Sequence, residues 1–198
     1  MIANMNSPNI SSNKAINTEE AIKAAKYVLS IANAESIKSA ICGGLAMHLY
    51  GFTRATKDID FVASGGISLF HYRDLSFGGH AIKCDVDGKE FEIDWILRND
   101  DQKYLYDGAL NESILLGDDS LPVVSPEWMV IIKHVAGRGK DHMDCVWLLR
   151  QDGLVDRNKV ISIVRKLMGP HAFWAIKDLE SVMLESDLMR ARDENGDK

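Results

Sequence analysis

The sequence predicts an α+β fold: an α/β core with a small mixed β-sheet flanked by helices, followed by a helical C-terminal cap. Segments with strand and helix character alternate over the first two thirds of the chain, and helical character alone follows. The 198 residues, 46% of them hydrophobic and 26% charged, suffice for one well-packed domain or a compact core with a helical appendage. We expect a flexible tail over 1–17, the core over 18–150 and the cap over 151–190.

The core is expected to begin with an amphipathic helix. Thr18 precedes two glutamates in the first turn, where the helix dipole favours acids, and apolar residues then recur at helical spacing. A short buried strand is predicted over 37–42. The pair Gly43-Gly44 ends this strand, and a brief helix over 45–50 follows.

Further strands follow in the middle of the chain. One is predicted over 58–62, before a glycine-containing turn. The clearest local pattern is the alternation of apolar and polar residues over 82–86 and again over 91–95. Asp87-Gly88 lies between these two segments and is typical of a type I′ turn, so the pattern predicts a β-hairpin.

Helices account for most of the remaining chain. We expect a short helix over 104–110, one more strand over 121–124 and a helix opened by the capping sequence Ser-Pro-Glu at 125–127. The last helices are predicted over 141–150, 157–167 and 172–188.

Bulk properties exclude several classes of protein. The net charge of −6 argues against nonspecific coating of nucleic acid, although it leaves room for a local basic groove or a magnesium-bound nucleotide. Three distant cysteines without a CxxC pair fit a reducing compartment, and the six histidines show no spacing typical of a metal site. No apolar run resembles a signal peptide or a membrane span, so we expect a soluble, cytoplasmic protein without membrane contact.

Asp58-Ile59-Asp60 is the main candidate for chemistry. Residues two apart on a strand project to the same face, with Cα atoms roughly 6.5–7 Å apart, so the two carboxylates can share a divalent cation. Asp94 lies on the return strand of the hairpin, on the face opposite its apolar residues; Glu92 shares that face and is an alternative. If the two strands are neighbours, three carboxylates converge, a ligand set that suits Mg²⁺.

Gly43-Gly44 is the candidate phosphate contact. Glycines between a strand and a helix let backbone N–H groups approach a phosphate closely, beside the positive end of the helix. A glycine pair alone is weak evidence because many turns contain one. Its position one short helix before the aspartate strand is far more specific.

Together these residues resemble a known signature. Residues 43–46 (GGLA), Gly51 and residues 54–60 (RATKDID) resemble the motif of the DNA-polymerase-β-like nucleotidyltransferase superfamily. The closest resemblance is to its minimal bacterial branch, which includes abortive-infection (type IV toxin–antitoxin) enzymes and antibiotic nucleotidyltransferases. A later set is similar to the C-terminal helical motif of that branch: Ser125, Pro126, Glu127, Lys133, Arg138, Asp141 and Asp144.

The resemblance spans about 37–149 and implies a nucleotidyltransferase fold and site. By it, Gly43 and Gly44 would grip the triphosphate, although Gly44 stands where many relatives carry serine. Asp58 and Asp60 would bind both metal ions, and Asp94 would be the third metal ligand and the base for the acceptor hydroxyl.

Three further residues are candidates for nucleotide binding. Arg54 and Thr56 precede the aspartates, and the alternative is that they cap or brace the turn before the strand. Lys133, together with Arg138 and Lys140, could neutralise phosphate charge from the C-terminal helices. The alternative is that Lys133 lies on a solvent-exposed helix face and contacts no phosphate. Arg138 and Asp141 are expected to pair with each other or with Asp144.

Several functions stay open at this stage. The first is Mg²⁺- or Mn²⁺-dependent transfer of an NMP from an NTP such as ATP to a hydroxyl group of tRNA, a protein or a small molecule such as an aminoglycoside. The second is a catalytically weak nucleotide- or partner-binding module of a toxin–antitoxin type system, with a protein partner. The third is a structural α/β domain with a fortuitous motif. The sequence pI of about 5.5 favours a cationic small acceptor or a protein over RNA.

Overall fold

The computed structural model describes residues 16–52, 54–194 and 196. Within these residues, seven strands form one mixed sheet: β1 (Ser39–Cys42), β2 (Ile59–Ala63), β3 (His71–Asp74), β4 (Gly79–Val86), β5 (Lys89–Ile96), β6 (Ile114–Leu116) and β7 (Leu121–Val123). Their spatial order is β3-β4-β5-β2-β1-β7-β6. The strands β2 and β5 pair in parallel, as do β1 and β7, whereas the other neighbours pair antiparallel.

Seven α-helices lie in the described part of the chain: α1 (Thr18–Ala34), α2 (Gly43–Leu49), α3 (Lys103–Asn111), α4 (Pro126–Ala136), α5 (Gly139–Arg150), α6 (Arg157–Met168) and α7 (Ala172–Glu194). A 3₁₀ turn at Gly169–His171 links the last two. The architecture confirms the predicted mixed sheet flanked by helices with a helical C-terminal cap. None of these helices combines the length and the apolar character needed to cross a bilayer.

Most predicted elements are present, with shifted ends. The hairpin is formed by β4 and β5, and both Asp87 (φ 56°) and Gly88 (φ 75°) have the positive φ that a type I′ turn requires. The edge strands β3 and β6 were not predicted. All four residues of β3 are exposed, so no apolar alternation marks this strand in the sequence.

The predicted tail over 1–17 falls mostly outside the described residues. Within them, the N–H of Ile16 donates to the Thr56 carbonyl at 3.0 Å. The Asn17 side chain accepts from the backbone N–H groups of Glu19 and Glu20, so it caps α1. The division into a core over 18–150 and a cap over 151–190 stays a prediction.

Apolar side chains of the central strands fix which face of the sheet carries the aspartates. Ile59, Phe61, Ile93 and Trp95 are fully buried, and the Phe61 and Trp95 rings lie 5.6 Å apart between centroids. Because side chains alternate along a strand, the residues between them project to the other face. Asp60 and Asp94 are two of these, so burial of the apolar set holds both carboxylates on one side.

The C-terminal helices are joined to the core by ionic contacts as well as by packing. Arg157, at the start of α6, donates to both carboxylate oxygens of Asp187 on α7, at 2.9 and 2.6 Å, and to the Leu149 carbonyl of α5 at 3.1 Å. The Glu127 carboxylate of α4 accepts from the N–H of Asp156. These bonds link α4, α5, α6 and α7 to one another.

Candidate active site

The structure brings the three predicted aspartates together. Asp58 directly precedes β2, Asp60 lies on β2 and Asp94 lies on β5. The parallel pairing of β2 and β5 sets Asp60 directly beside Asp94 in register. One carboxylate oxygen from each of the three residues lies within 4.8 Å of the other two. The side chain of Glu92, the alternative to Asp94, instead accepts from Arg73 at 3.1 Å.

The environment of the aspartates fits a bound cation. Burial, followed by the charge of Asp58, raises the pKa of Asp60 to about 6. Burial, followed by the charges of Asp60 and Asp58, raises the pKa of Asp94 to about 7. The Oδ1 atom of Asp94 is buried and has no hydrogen-bond partner among the described residues. Like charges around an unsatisfied carboxylate oxygen are the setting that a divalent cation with oxygen ligands stabilises.

The first two residues of α2, directly after β1, must both be glycine. Gly43 has φ 59°, and a Cβ on it would lie 1.8 Å from Asp60 Oδ2. A Cβ on Gly44 would lie 2.3 Å from Thr56 Oγ1. The N–H of Gly44 donates to Asp60 Oδ2 at 3.3 Å, so the backbone at the start of α2 approaches the aspartates directly. Only glycine permits this approach at position 43, where sterics and positive φ both exclude a side chain.

Thr56 is buried and lies next to Asp58. Its hydroxyl has the Asp58 carbonyl at 3.1 Å and Asp58 Oδ1 at 3.3 Å as acceptors. The predicted role of Thr56 was contact with the nucleotide or support of the turn. The observed bonds orient one of the candidate metal ligands, and a direct contact with a nucleotide stays a prediction.

Arg54 and Lys133 belong to a buried ionic cluster between the aspartate loop and the helices α4 and α5. The guanidinium of Arg54 donates to both oxygens of Asp144, at 2.8 and 2.9 Å. Lys133 Nζ lies 2.6 Å from Asp144 Oδ2 and 3.2 Å from Asp141 Oδ1. Arg138 pairs with Asp141 at 2.5 Å, as the sequence predicted. Burial alone would raise the pKa of Asp141, but the bond from Arg138 and the charge of Lys133 lower it overall.

All eight predicted site residues line one cleft of about 720 Å³: Gly43, Gly44, Arg54, Thr56, Asp58, Asp60, Asp94 and Lys133. This volume is within the range of small-molecule sites. Lys57, Arg138 and Lys140 add positive charge to the walls.

Three further residues of the cleft lining, Phe77, Arg98 and Tyr106, were not predicted from the sequence. The Arg98 guanidinium lies 5.0 Å from the ring centroid of Tyr106 and 5.8 Å from that of Phe77. Burial raises the pKa of Tyr106 to about 12, so its hydroxyl is protonated at neutral pH. These three residues come from separate segments of the chain, and no local pattern connects them.

Comparisons with known proteins add little to this description. No protein-family model matches the chain, and no curated protein matches it in sequence. Among solved structures, the chain is similar to an antigenic nucleotidyltransferase-like protein from Paracoccidioides brasiliensis, with a TM-score of 0.48 and 18% sequence identity. The likeness covers 86% of this chain and 94% of that one. A likeness at this level assigns neither a family nor an activity, so membership of the bacterial nucleotidyltransferase branch stays a prediction.

Proposed function

We propose that the chain is a metal-dependent nucleotidyltransferase, which moves an NMP from an NTP to a hydroxyl group of an acceptor. One observation carries the proposal: three carboxylates converge in a cleft beside a glycine pair whose backbone reaches the same atoms. Carboxylates that hold a cation recur in sites of nucleotide phosphate chemistry, and here the Gly44 N–H orients one of them.

In this proposal Asp58, Asp60 and Asp94 hold Mg²⁺ or Mn²⁺. Asp60 Oδ2 is steadied by the Gly44 N–H and Asp58 by the Thr56 hydroxyl, so two of the three ligands are already oriented. The bound cation would neutralise triphosphate charge and make the acceptor hydroxyl more acidic. Hard oxygen ligands and phosphate oxygens are the partners that Mg²⁺ prefers.

The acceptor hydroxyl oxygen would form a bond to the α-phosphorus of the NTP. The bond from that phosphorus to the bridging oxygen would break, and pyrophosphate would leave with the electron pair. Asp94 would take the hydroxyl proton, because its Oδ1 has no hydrogen-bond partner among the described residues, with Arg73 4.0 Å away, and the residue lines the cleft with the other aspartates. The chain mainly positions the reactants, as is general for phosphoryl transfer.

Positive charge for the triphosphate would come from Lys140 and from Arg138, which line the cleft; Arg138 also pairs with Asp141, but its side chain is largely exposed. The charge of Lys140 already acts on Asp60, whose pKa it lowers against the larger effect of burial. Lys133 Nζ is surrounded by two carboxylates, so its contribution would be to hold Asp141 and Asp144 in place.

A second candidate function is a catalytically weak nucleotide- or partner-binding module. The observation that favours it is the engagement of Arg54 and Lys133 with buried carboxylates, which leaves fewer cations for a triphosphate. The acceptor class, the preferred NTP, a toxin–antitoxin role and a cytoplasmic location all stay predictions.

The proposal is tested by transfer of label from each α-labelled NTP in a bacterial lysate, with Mg²⁺ or Mn²⁺. Products are separated into RNA, protein and small-molecule fractions, which identifies the acceptor class. The test variant is Asp60→Asn, and the matched control is Asp118→Asn, an exposed aspartate in the turn between β6 and β7. Label that disappears in Asp60→Asn and persists in Asp118→Asn supports the transferase.

Calorimetric titration with each NTP and Mg²⁺ separates the two candidate functions. If nucleotide binding is lost in Asp60→Asn and no label is transferred under any condition, the binding module is favoured over the transferase. If neither binding nor transfer depends on Asp60, both nucleotide-based functions are wrong.

A further inference from the structure

A second cluster of metal-ligating side chains lies at the edge of the sheet, outside the cleft. It consists of His71 and Asp74 on β3 and His80 on β4. One ligand atom from each residue lies within 4.8 Å of the other two. His80 Nδ1 is 3.0 Å from Asp74 Oδ1, and the two imidazole rings are stacked with centroids 4.4 Å apart. The sequence spacing of the histidines did not reveal this cluster.

An irregularity in β3 assembles the cluster. In a regular strand, His71 and Asp74 would project to opposite faces because they are three residues apart. The pairing of β3 with β4 shifts between His71 and Arg73, as in a β-bulge, and such a shift re-aims a side chain. Asp74 is directly opposite His80 in the antiparallel pair, so both project to the same face. The shift adds His71 to that face.

This face is not the one that carries the aspartates. His80 is paired with Trp95, whereas the neighbouring residue Ala81 is paired with Asp94. Directly paired residues share a face and adjacent residues alternate, so His80 projects with Trp95, away from Asp94. The cluster and the candidate active site are therefore two separate sites.

We propose that His71, Asp74 and His80 form a binding site for one transition-metal ion of the Zn²⁺ class. Two imidazole nitrogens and one carboxylate favour Zn²⁺ or a similar ion over Mg²⁺, which prefers oxygen ligands. With bonds of about 2.0–2.1 Å, neighbouring ligand atoms of a tetrahedral site are roughly 3.3 Å apart. The observed 3.0 Å between His80 Nδ1 and Asp74 Oδ1 is close to this spacing. The His71 side chain is exposed, so it can move the short distance needed to reach the same ion. A water molecule would complete the four ligands.

The bound ion would link the edge strand β3 to β4. All four side chains of β3 are exposed, so this strand is held by its backbone pairing with β4 and by surface contacts such as the Arg73–Glu92 ion pair. An ion held from both β3 and β4 binds the folded strand pair but not the unfolded chain, so it would stabilise this edge of the sheet by mass action.

The test is calorimetric titration of tag-free, chelator-treated full-length protein with Zn²⁺. The titration is made in an Asp60→Asn/Asp94→Asn background, which disables the aspartate site, so the result does not depend on the proposed function. We expect one Zn²⁺ per chain, retained in excess Mg²⁺. In that background, His80→Ala and Asp74→Asn should each weaken binding roughly tenfold or more.

The matched control is His171→Ala, which removes an exposed histidine far from β3 along the chain. Its Zn²⁺ affinity should equal that of the background protein, and circular dichroism verifies that every variant is folded. The proposal is overturned if the background protein binds no Zn²⁺, or if folded His80→Ala and Asp74→Asn bind it as tightly as the control. In that case the Asp74–His80 contact is only a surface hydrogen bond.

Discussion

Replacing Asp94 with asparagine should stabilise the metal-free protein while it removes a candidate metal ligand. Burial, followed by the charges of Asp60 and Asp58, raises the pKa of Asp94 from its ordinary value of 3.8 to about 7. Above that pH the folded protein carries an unfavourable negative charge in the cluster. An asparagine is neutral at every pH, and its amide can donate to a neighbouring carboxylate.

The size of the effect follows from the shift. A rise from 3.8 to about 7 corresponds to about 4 kcal/mol at most. The Asp94 side chain is 13% exposed and lines an open cleft, so water screens part of the repulsion. We therefore expect a gain in the free energy of unfolding of about 1–2 kcal/mol at pH 8. For a chain of this length, that gain raises Tm by about 2–8 °C.

The pH dependence has a defined sign. Between about pH 4 and pH 7 the folded protein holds a proton on Asp94 that the unfolded chain has released. The stability contributed by that proton is complete below about pH 4 and is lost as the pH rises through about 7. The advantage of Asp94→Asn should therefore be small near pH 4, grow through this window and level off above it.

The assay is thermal unfolding followed by circular dichroism, in chelator across this pH range and then at pH 8 with excess Mn²⁺. Mn²⁺ should raise the Tm of the natural sequence and leave that of Asp94→Asn nearly unchanged. Glu92→Gln is the matched control: it removes an acid two residues away on the same strand, at a half-buried position where it pairs with Arg73. If Asp94→Asn is no more stable than the natural sequence at pH 8 in chelator, the carboxylates do not repel each other as argued.

Three further outcomes are expected. Gly43→Ala should lower the free energy of unfolding by about 1–3 kcal/mol, because the new Cβ would clash and the residue has a positive φ. Gly139→Ala is the control, since a Cβ there meets open space, and it should leave the free energy of unfolding unchanged when both variants are unfolded in urea. Lys133→Met should lower the free energy of unfolding by about 1–3 kcal/mol, because it removes the cation that Asp141 and Asp144 share, while Arg138 still pairs with Asp141 and Arg54 with Asp144. Lys103→Met, in an exposed pair, should change stability by less than about 0.5 kcal/mol in the same assay, and equal losses would contradict the buried cluster. Burial raises the pKa of Cys42, so a thiol reagent at pH 8 should modify this residue only after the protein unfolds. Rapid modification of the folded protein at Cys42 would show that the end of β1 opens to solvent.

The elements that could be predicted from the sequence are those with local signatures. The hairpin was predicted because apolar residues alternate on both sides of Asp87-Gly88, a pair suited to positive φ. The helix α4 was predicted from its Ser-Pro-Glu start. By contrast, β3 has no buried side chain, and its strand geometry depends on β4, so nothing within its four residues indicates a strand.

In the candidate site, too, only the contacts that follow from a local sequence pattern could be predicted. The convergence of Asp60 with Asp94 followed from strand periodicity once two strands were assumed to be neighbours, and the register confirms that assumption. The partner of Arg54 could not be predicted, because Asp144 lies 90 positions later and no periodic pattern links a loop to a helix at that separation. The same holds for the contact of Arg98 with Tyr106, which depends on how α3 packs beside the sheet.

The Thr56 side chain fills the space that a side chain at position 44 would need, although the two residues are distant in sequence. A side chain at position 44 would collide with the Thr56 hydroxyl, whose oxygen lies 2.3 Å from the place of a Cβ. Gly44→Ser therefore requires a smaller side chain at position 56 at the same time, for example Thr56→Gly. Such a double substitution would move the hydroxyl group from position 56 to position 44. Either change alone leaves a collision or a void. The two positions are coupled, and an evolving chain would have to alter them together.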